Sequence, residues 1–337
     1  MAMSTRPHED GALLDVGDLR STVRRPAADD LEADVTDLGA ADPEAARARP
    51  ATPSTKVLDP AQTRVRRMIP EPRPIDSHGP ARIVALCNQK GGVGKTTSTI
   101  NLGAALTEYG RRVLLVDFDP QGALSVGLGV QPHQLDRTIY NVLMERSVTI
   151  DDVLLKTNVP GMDLVPSNID LSAAEVQLVG EVAREMALAR ILRPVLREYD
   201  FILIDCQPSL GLLAINALTV AHGVLIPLEC EFFSLRGVAL LLDTIDKVRE
   251  RLNFDLELEG ILATMYDSRT THCRQVLQRV VEAFGDKVYQ TVITKTVKFP
   301  ESTVAGSPIL TLDPASSGAR NYRQLAREVI AATAERG

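Results

Sequence analysis

Asn88-Gln89-Lys90-Gly91-Gly92-Val93-Gly94-Lys95-Thr96-Thr97 is the stretch on which the reading of this chain turns. It lies between an apolar run, Ile83 to Cys87, and a segment, Ser98 to Tyr109, that reads as a helix closed by Gly110. Strand, glycine loop and helix in that order make a phosphate site. The glycines let backbone N–H groups converge on phosphate oxygens, and the helix N-terminus adds partial positive charge. Lys95 is expected to reach the β- and γ-phosphates, and the Thr96 hydroxyl to ligate Mg²⁺. A glycine turn that binds nothing is the competing reading, and the GKTT ending with the correct flanks argues against it.

The common pattern G-x-x-x-x-G-K-[ST] calls for glycine at position 89, where this chain has Gln89. In exchange a second lysine, Lys90, opens the loop. A lysine there cannot easily fold back onto its own phosphates, so it is expected to cross to a nucleotide held by a facing subunit. KGGVGKTT thereby resembles the deviant Walker A motif of the ParA/MinD group of P-loop ATPases. Asp117-Phe118-Asp119-Pro120-Gln121-Gly122 resembles the switch stretch of chromosome-partitioning, Soj-like ParA proteins rather than that of MinD. Ile204-Asp205-Cys206-Gln207-Pro208-Ser209-Leu210-Gly211 resembles the Walker B segment, with Gln207 replacing the first of two prolines. The resemblance covers residues 82–330 or so and implies the three-layer α/β fold of P-loop NTPases, with ATP and Mg²⁺ as cofactors.

Composition narrows the alternatives. The 337 residues suffice for one large α/β domain and a further segment. A net charge of −7 argues against general affinity for nucleic acid, so any DNA contact must come from a local patch. Cys87, Cys206, Cys230 and Cys273 show no C-x-x-C spacing, and buried reduced thiols are expected. The five histidines are scattered without a metal-binding pattern. Residues 1–25 lack the apolar core of a signal peptide. The longest apolar span, residues 211–228, is broken by Asn216 and His222-Gly223 and reads as helix then strand. A cytoplasmic protein is expected.

Residues 1–80 hold ten of the twenty prolines, with 14 acidic residues against 11 Lys/Arg and no sustained period. They read as an extended arm, and 81–337 as the ATPase domain. Within the arm the apolar cluster Ala12-Leu13-Leu14-Asp15-Val16 is a candidate contact for a polar or scaffold partner. Arg64, Arg66, Arg67 and Arg73 make its end basic.

From Arg82 onward apolar runs alternate with amphipathic segments. Strands are expected near 82–88, 112–117, 200–205, 223–228 and 257–265, with a shorter pair near 162–165 and 288–293. Helices are expected near 95–109, 138–145, 171–197, 209–221, 235–252, 271–285 and 315–335. The alternation predicts βαβ units and a mostly parallel sheet covered on both faces. Ligands of such sheets lie at the carboxyl ends of strands, which places Asp117, Asp119 and Asp205 around the phosphates.

The family resemblance implies specific roles. Asp119 orients the attacking water, while Asp117 and Asp205 join Thr96 in supporting Mg²⁺. Lys90 and Lys95 act on the phosphates, the backbone of Lys90, Gly91, Gly92, Val93, Gly94, Lys95, Thr96 and Thr97 cradles the nucleotide, and Met265 contacts the base. Glu231 falls in a region that lies near the dimer interface in the family. Val292-Ile293-Thr294-Lys295 departs from the Ile-Pro-Arg common in Soj-like proteins, while Lys295 keeps a charge there. Asp200, just before a strand, reads as a surface turn residue.

Residues 269–298 carry six Lys/Arg against two acidic residues, opposite in sign to the whole chain. Arg269, Arg274, Arg279, Lys287, Lys295 and Lys298, with Arg249 and Arg251, are candidates for gripping double-stranded DNA through its phosphates without reading sequence. The C-terminal segment lacks the bulky apolar face and opposing lysines of a MinD-type membrane helix, and no stable membrane insertion is expected.

The resemblance thus implies a partition ATPase associated with the nucleoid. ATP closes a homodimer on DNA, and a ParB-type centromere-binding partner stimulates a weak hydrolysis that releases it. Three alternatives compete: a MinD-like membrane-cycling positioning ATPase, a metabolic enzyme on the same fold, and an ATP-dependent scaffold that never turns over. A reductase of that fold would need cysteines bridging a cluster, and no such spacing is present.

Overall fold

The computed structural model describes residues 68–231 and 234–334. The expected partner segment Ala12 to Val16 and the basic residues Arg64, Arg66 and Arg67 lie outside the described residues. Eight strands form one sheet in the order β3-β4-β2-β5-β1-β6-β7-β8. They are β1 Arg82–Leu86, β2 Val113–Phe118, β3 Leu155–Lys156, β4 Met162–Val165, β5 Phe201–Cys206, β6 Gly223–Glu229, β7 Glu257–Tyr266 and β8 Val288–Thr294. All pairings are parallel except that of β3 with β4. β2 and β5 are buried at every position, as their unbroken apolar runs require of strands covered on both faces.

The helices are α1 Lys95–Glu108, α2 Ala123–Gly127, α3 Ile139–Met144, α4 Leu171–Gln177, α5 Ala187–Leu192, α6 Leu212–Val220, α7 Ser234–Arg251, α8 Thr271–Phe284, α9 Lys298–Val304, α10 Ile309–Leu312 and α11 Ser317–Ala334. Two cores fill the faces of the sheet. One packs α3 to α8 against it, and the other packs α1 with α10 and α11. Leu203, fully buried on β5, lies in the second of these. Leu203→Ala is expected to lower unfolding free energy by about 2–5 kcal/mol in urea denaturation, since the cavity left at the sheet centre cannot collapse freely.

The single helix expected over 171–197 does not form. Four short pieces replace it: α4, a 3₁₀ turn at Leu178–Gly180, α5, and a 3₁₀ turn at Arg193–Val195, with a further turn at Arg184–Met186. Gly180 sits at the first break, Ala183 takes a left-handed φ of 53°, and Pro194 starts the last turn. Pro194 cannot sit inside a continuous helix, Gly180 weakens one, and the left-handed Ala183 marks where the chain leaves helical geometry. The edge strand β3 and the helices α2, α9 and α10 are further elements that the periodicity did not suggest.

Residues 68–80 carry no helix or strand, and β1 begins at Arg82. They are tied to the domain all the same. Arg111 Nη2 donates to the Arg73 carbonyl at 3.0 Å, and Arg327 Nη2 to that of Ile69. Asp200 is more than a surface turn residue. Its carboxylate meets His78 Nδ1 at 2.8 Å and accepts the backbone N–H of Gly79 at 3.0 Å and of Arg112 at 2.7 Å. It thus pins the incoming chain to the start of β2.

Both sheet edges are closed. β3 is two residues long, and Lys156 on it pairs with Asp163 at 2.7 Å. At the other edge the Glu328 carboxylate of α11 accepts the N–H groups of Gln290 and Thr291 on β8, at 2.7 and 2.9 Å. Among the described residues no helix is long and apolar enough to cross a membrane.

Candidate functional site

β1 and β5 are neighbours, and the chain leaves β1 past β5 to β2 but leaves β5 past β1 to β6, in opposite directions. That topological switch point opens a crevice at the carboxyl ends of the strands, and the glycine loop fills it. Gly92 and Gly94 have φ of 76° and 84°, the left-handed region open to glycine at little cost. Gly94 is also the residue preceding the first turn of α1, so the free N–H groups of that turn face the loop. Val93 is fully buried and anchors the loop, and its carbonyl accepts the Thr264 hydroxyl of β7 at 2.8 Å. Asn88, also buried, donates to the Pro227 carbonyl of β6 at 2.7 Å and accepts the Lys90 N–H at 2.9 Å.

The expected side chains converge here. Thr96 Oγ1 donates to Asp205 Oδ2 at 2.6 Å. Asp117 on β2 is the register partner of Asp205 on β5, so the two carboxylates stand side by side. Burial pushes the Asp117 carboxyl up to about 7, opposed by hydrogen bonds from the Ser125 hydroxyl at 2.7 Å and N–H at 2.8 Å. Asp205 is likewise raised, first by burial and then by the neighbouring Asp117 charge. A buried carboxylate pair of this kind favours a cation between or beside its members. With the Thr96 hydroxyl it makes a hard oxygen donor set suited to Mg²⁺. Asp117 already engages Ser125 at the start of α2, which fixes the exit of the switch stretch.

Lys95 is buried, and its Nζ donates to the Lys90 carbonyl at 3.3 Å. Asp119 is half-buried, and its Oδ1 accepts the Gln121 N–H at 2.9 Å, so it shapes the turn at Pro120. Lys90 Nζ is bonded within its own subunit, to Glu229 Oε2 at 2.8 Å and Glu231 Oε2 at 2.7 Å. Glu229 was not singled out from the sequence. Only its place at the end of β6, beside the loop, marks it.

A cavity of about 260 Å³ adjoins the loop, lined among others by Gly94, Thr97, Thr264, Met265, Phe299 and Tyr322. Met265 lines this cavity, with a left-handed φ of 50°. Ile293, Thr294 and Lys295 line the cavity too, in place of the family's usual wall. Phe299 and Tyr322, ring centroids 5.8 Å apart and edge to face, complete it and carried no sequence signal.

The basic candidates are not gathered into one patch. Lys287 precedes β8 and Lys295 follows it, so about 23 Å of strand separates them. Arg249 and Arg251 end α7, and Arg274 and Arg279 lie along α8 on the same face of the sheet. Arg269 is held by Asp267 at 2.9 and 2.7 Å, Arg249 by Asp246 at 2.8 Å and Lys298 by Glu301 at 2.8 Å. Arg251, Arg279 and Lys295 have no ion pair among the described residues. The candidates are thus spread over α7, the loop before α8, α8, the two ends of β8 and α9.

Fold and site together define a P-loop ATPase with a lysine-opened glycine loop. The family model described as an AAA domain matches residues 81–258. The Bacillus subtilis sporulation initiation inhibitor protein Soj is 47% identical over 250 residues, covering 74% of this chain and 98% of Soj. The chain belongs to the Soj/ParA family of chromosome-partitioning ATPases. An uncharacterized Mycobacterium tuberculosis protein is 68% identical over 264 residues, 78% of this chain and 83% of its own length. A crystal structure described as Mycobacterium smegmatis cobyrinic acid a,c-diamide synthase, with ADP and magnesium bound, superposes with a TM-score of 0.65 at 44% identity. It covers 73% of this chain and 92% of that one.

Proposed function

We propose that the chain is an ATP-dependent partition protein whose nucleotide-closed homodimer holds nonspecific double-stranded DNA. The observation that carries this is the Thr96–Asp205 contact at 2.6 Å, at the base of a loop opened by Lys90, with Asp119 on the adjoining strand exit. Lys95 and the loop N–H groups bind the phosphates. Mg²⁺, held by Thr96 and Asp205 with Asp117 behind them, neutralises phosphate charge when bound. Asp119 orients the attacking water, and Lys90 crosses to the facing subunit's nucleotide. Among the described residues Asp119 is the one candidate proton acceptor proposed at the water, and it also holds the Gln121 N–H, which fits slow hydrolysis that a ParB-type partner accelerates. Pairing two copies doubles the basic side chains available to grip a phosphate backbone. Such a protein belongs in the cytoplasm, on the nucleoid.

The test is DNA co-sedimentation of the wild-type chain with ADP or a hydrolysis-resistant ATP analogue, at two salt concentrations. Binding with the analogue alone, weakening steeply with salt, is expected. Equal binding in both nucleotides, or none, would reject the switch. The synthase description of the M. smegmatis structure favours a second reading, an ATP-dependent synthetic enzyme on the same site. Absence of DNA binding beside intact ATP turnover would favour it.

A further inference from the structure

We infer that Glu229 and Glu231 form a latch that holds Lys90 inside its own subunit, and that ATP-driven pairing requires Lys90 to leave it. Because Lys90 is read as the residue that crosses between subunits, the latch stands or falls with that role.

The geometry is specific. Two of the three Nζ donors are taken, by Glu229 at 2.8 Å and Glu231 at 2.7 Å. Side-chain exposure is 35% for Lys90, 18% for Glu229 and 57% for Glu231, so one pair is sheltered and the other open to water. The two carboxylates raise the Lys90 ammonium above its ordinary range against the opposing effect of desolvation, and Lys90 in turn lowers Glu231. The backbone of the loop is attached to the same place. Lys90 N–H donates to Asn88, and Asn88 to Pro227, two residues before Glu229 on β6. Both the ammonium and the start of its loop therefore hang on the end of one strand.

This arrangement acts twice. It occupies the ammonium that a second subunit's phosphates need. It also presents two carboxylates near the surface those phosphates approach, and their repulsion of a polyanion is cancelled only while Lys90 lies between them. Pairing must therefore exchange two carboxylate bonds for phosphate bonds, once in each subunit. Nucleotide binding within one subunit does not require the exchange. A latch of this kind keeps chains apart until nucleotide fills both sites.

The experiment is sedimentation velocity of the full chain across a range of a hydrolysis-resistant ATP analogue. The proteins are wild type, Glu231→Gln, Glu229→Gln with Glu231→Gln, and each of these in a Lys90→Ala background. The double variant is expected to assemble at about tenfold lower analogue concentration, since four weak ion pairs, two in each subunit, are released per dimer. The exposed Glu231→Gln change alone, which places no demand on folding, should give part of that shift. ATP turnover at saturation should keep its kcat while the half-saturating concentration falls. In the Lys90→Ala background the glutamine substitutions should give a clearly smaller shift, since only the carboxylate repulsion and no ion pair is then removed. Assembly at equal or higher analogue concentration would overturn the latch, as would the same shift without Lys90. A wild-type chain that never pairs would instead overturn the crossing role, and the latch with it.

Discussion

Lys95→Ala should bind ATP at least a hundredfold more weakly than the wild-type chain. Lys95 begins α1, is 7% exposed, and already points its ammonium at the Lys90 carbonyl, 3.3 Å away on the loop. A phosphate entering the loop replaces that carbonyl with charge-assisted bonds. Each such bond contributes about 1.5–3 kcal/mol, and the upper figure alone is a factor of about a hundred. The substitution has a second effect. Asp205 is held down partly by the Lys95 charge, so its removal leaves the Asp117–Asp205 pair more strongly disposed to stay protonated. Fluorescence titration with a labelled nucleotide measures the loss, with thermal melting as a control for the fold. Affinity within threefold of wild type would remove Lys95 from the site.

Asp119→Asn should bind ATP as the wild type does and hydrolyse it about a hundredfold more slowly, within the range for a positioned proton acceptor. Asparagine is the informative choice. It keeps an oxygen to accept the Gln121 N–H, now at 2.9 Å, so the turn at Pro120 is preserved while the carboxylate charge is lost. Asp119→Ala removes both, and the lost turn bond alone costs about 1 kcal/mol of stability. Single-turnover hydrolysis separates the two roles. If Asp119→Asn kept its rate while Asp119→Ala lost stability, Asp119 would be a turn residue and the water would be oriented elsewhere.

The legible parts of this chain are those in which local sequence and tertiary structure make the same demand. Glycines at 92 and 94 announced the loop because their backbone angles suit little else, and Phe201 to Asp205 announced a buried strand ending in a carboxylate. The segment 171–197 misled because its buried residues, among them Leu171, Ala174, Leu188 and Leu192, keep a helical spacing across breaks that fall at Gly180, Ala183 and Pro194, of which only the glycine and proline carry a sequence signal. Contacts across the sheet were illegible by nature. Nothing near Lys90 in the sequence points to Glu229, 139 positions away, and nothing near Asp200 points to His78. The cavity wall of Phe299 and Tyr322 is of the same kind, two helices meeting by way of the fold alone.

The Glu328 carboxylate of α11, bonded to the edge of β8, bears on how copies of this molecule meet. An open parallel edge offers unsatisfied N–H groups to any extended chain, and stacking through such edges makes fibres without a defined end. Here a side chain of the same molecule caps that edge, while the opposite edge shrinks to a two-residue strand reversed in direction. Growth by sheet extension is therefore barred at both flanks. If copies pair as proposed, the contact must use a face of the domain other than these strand edges.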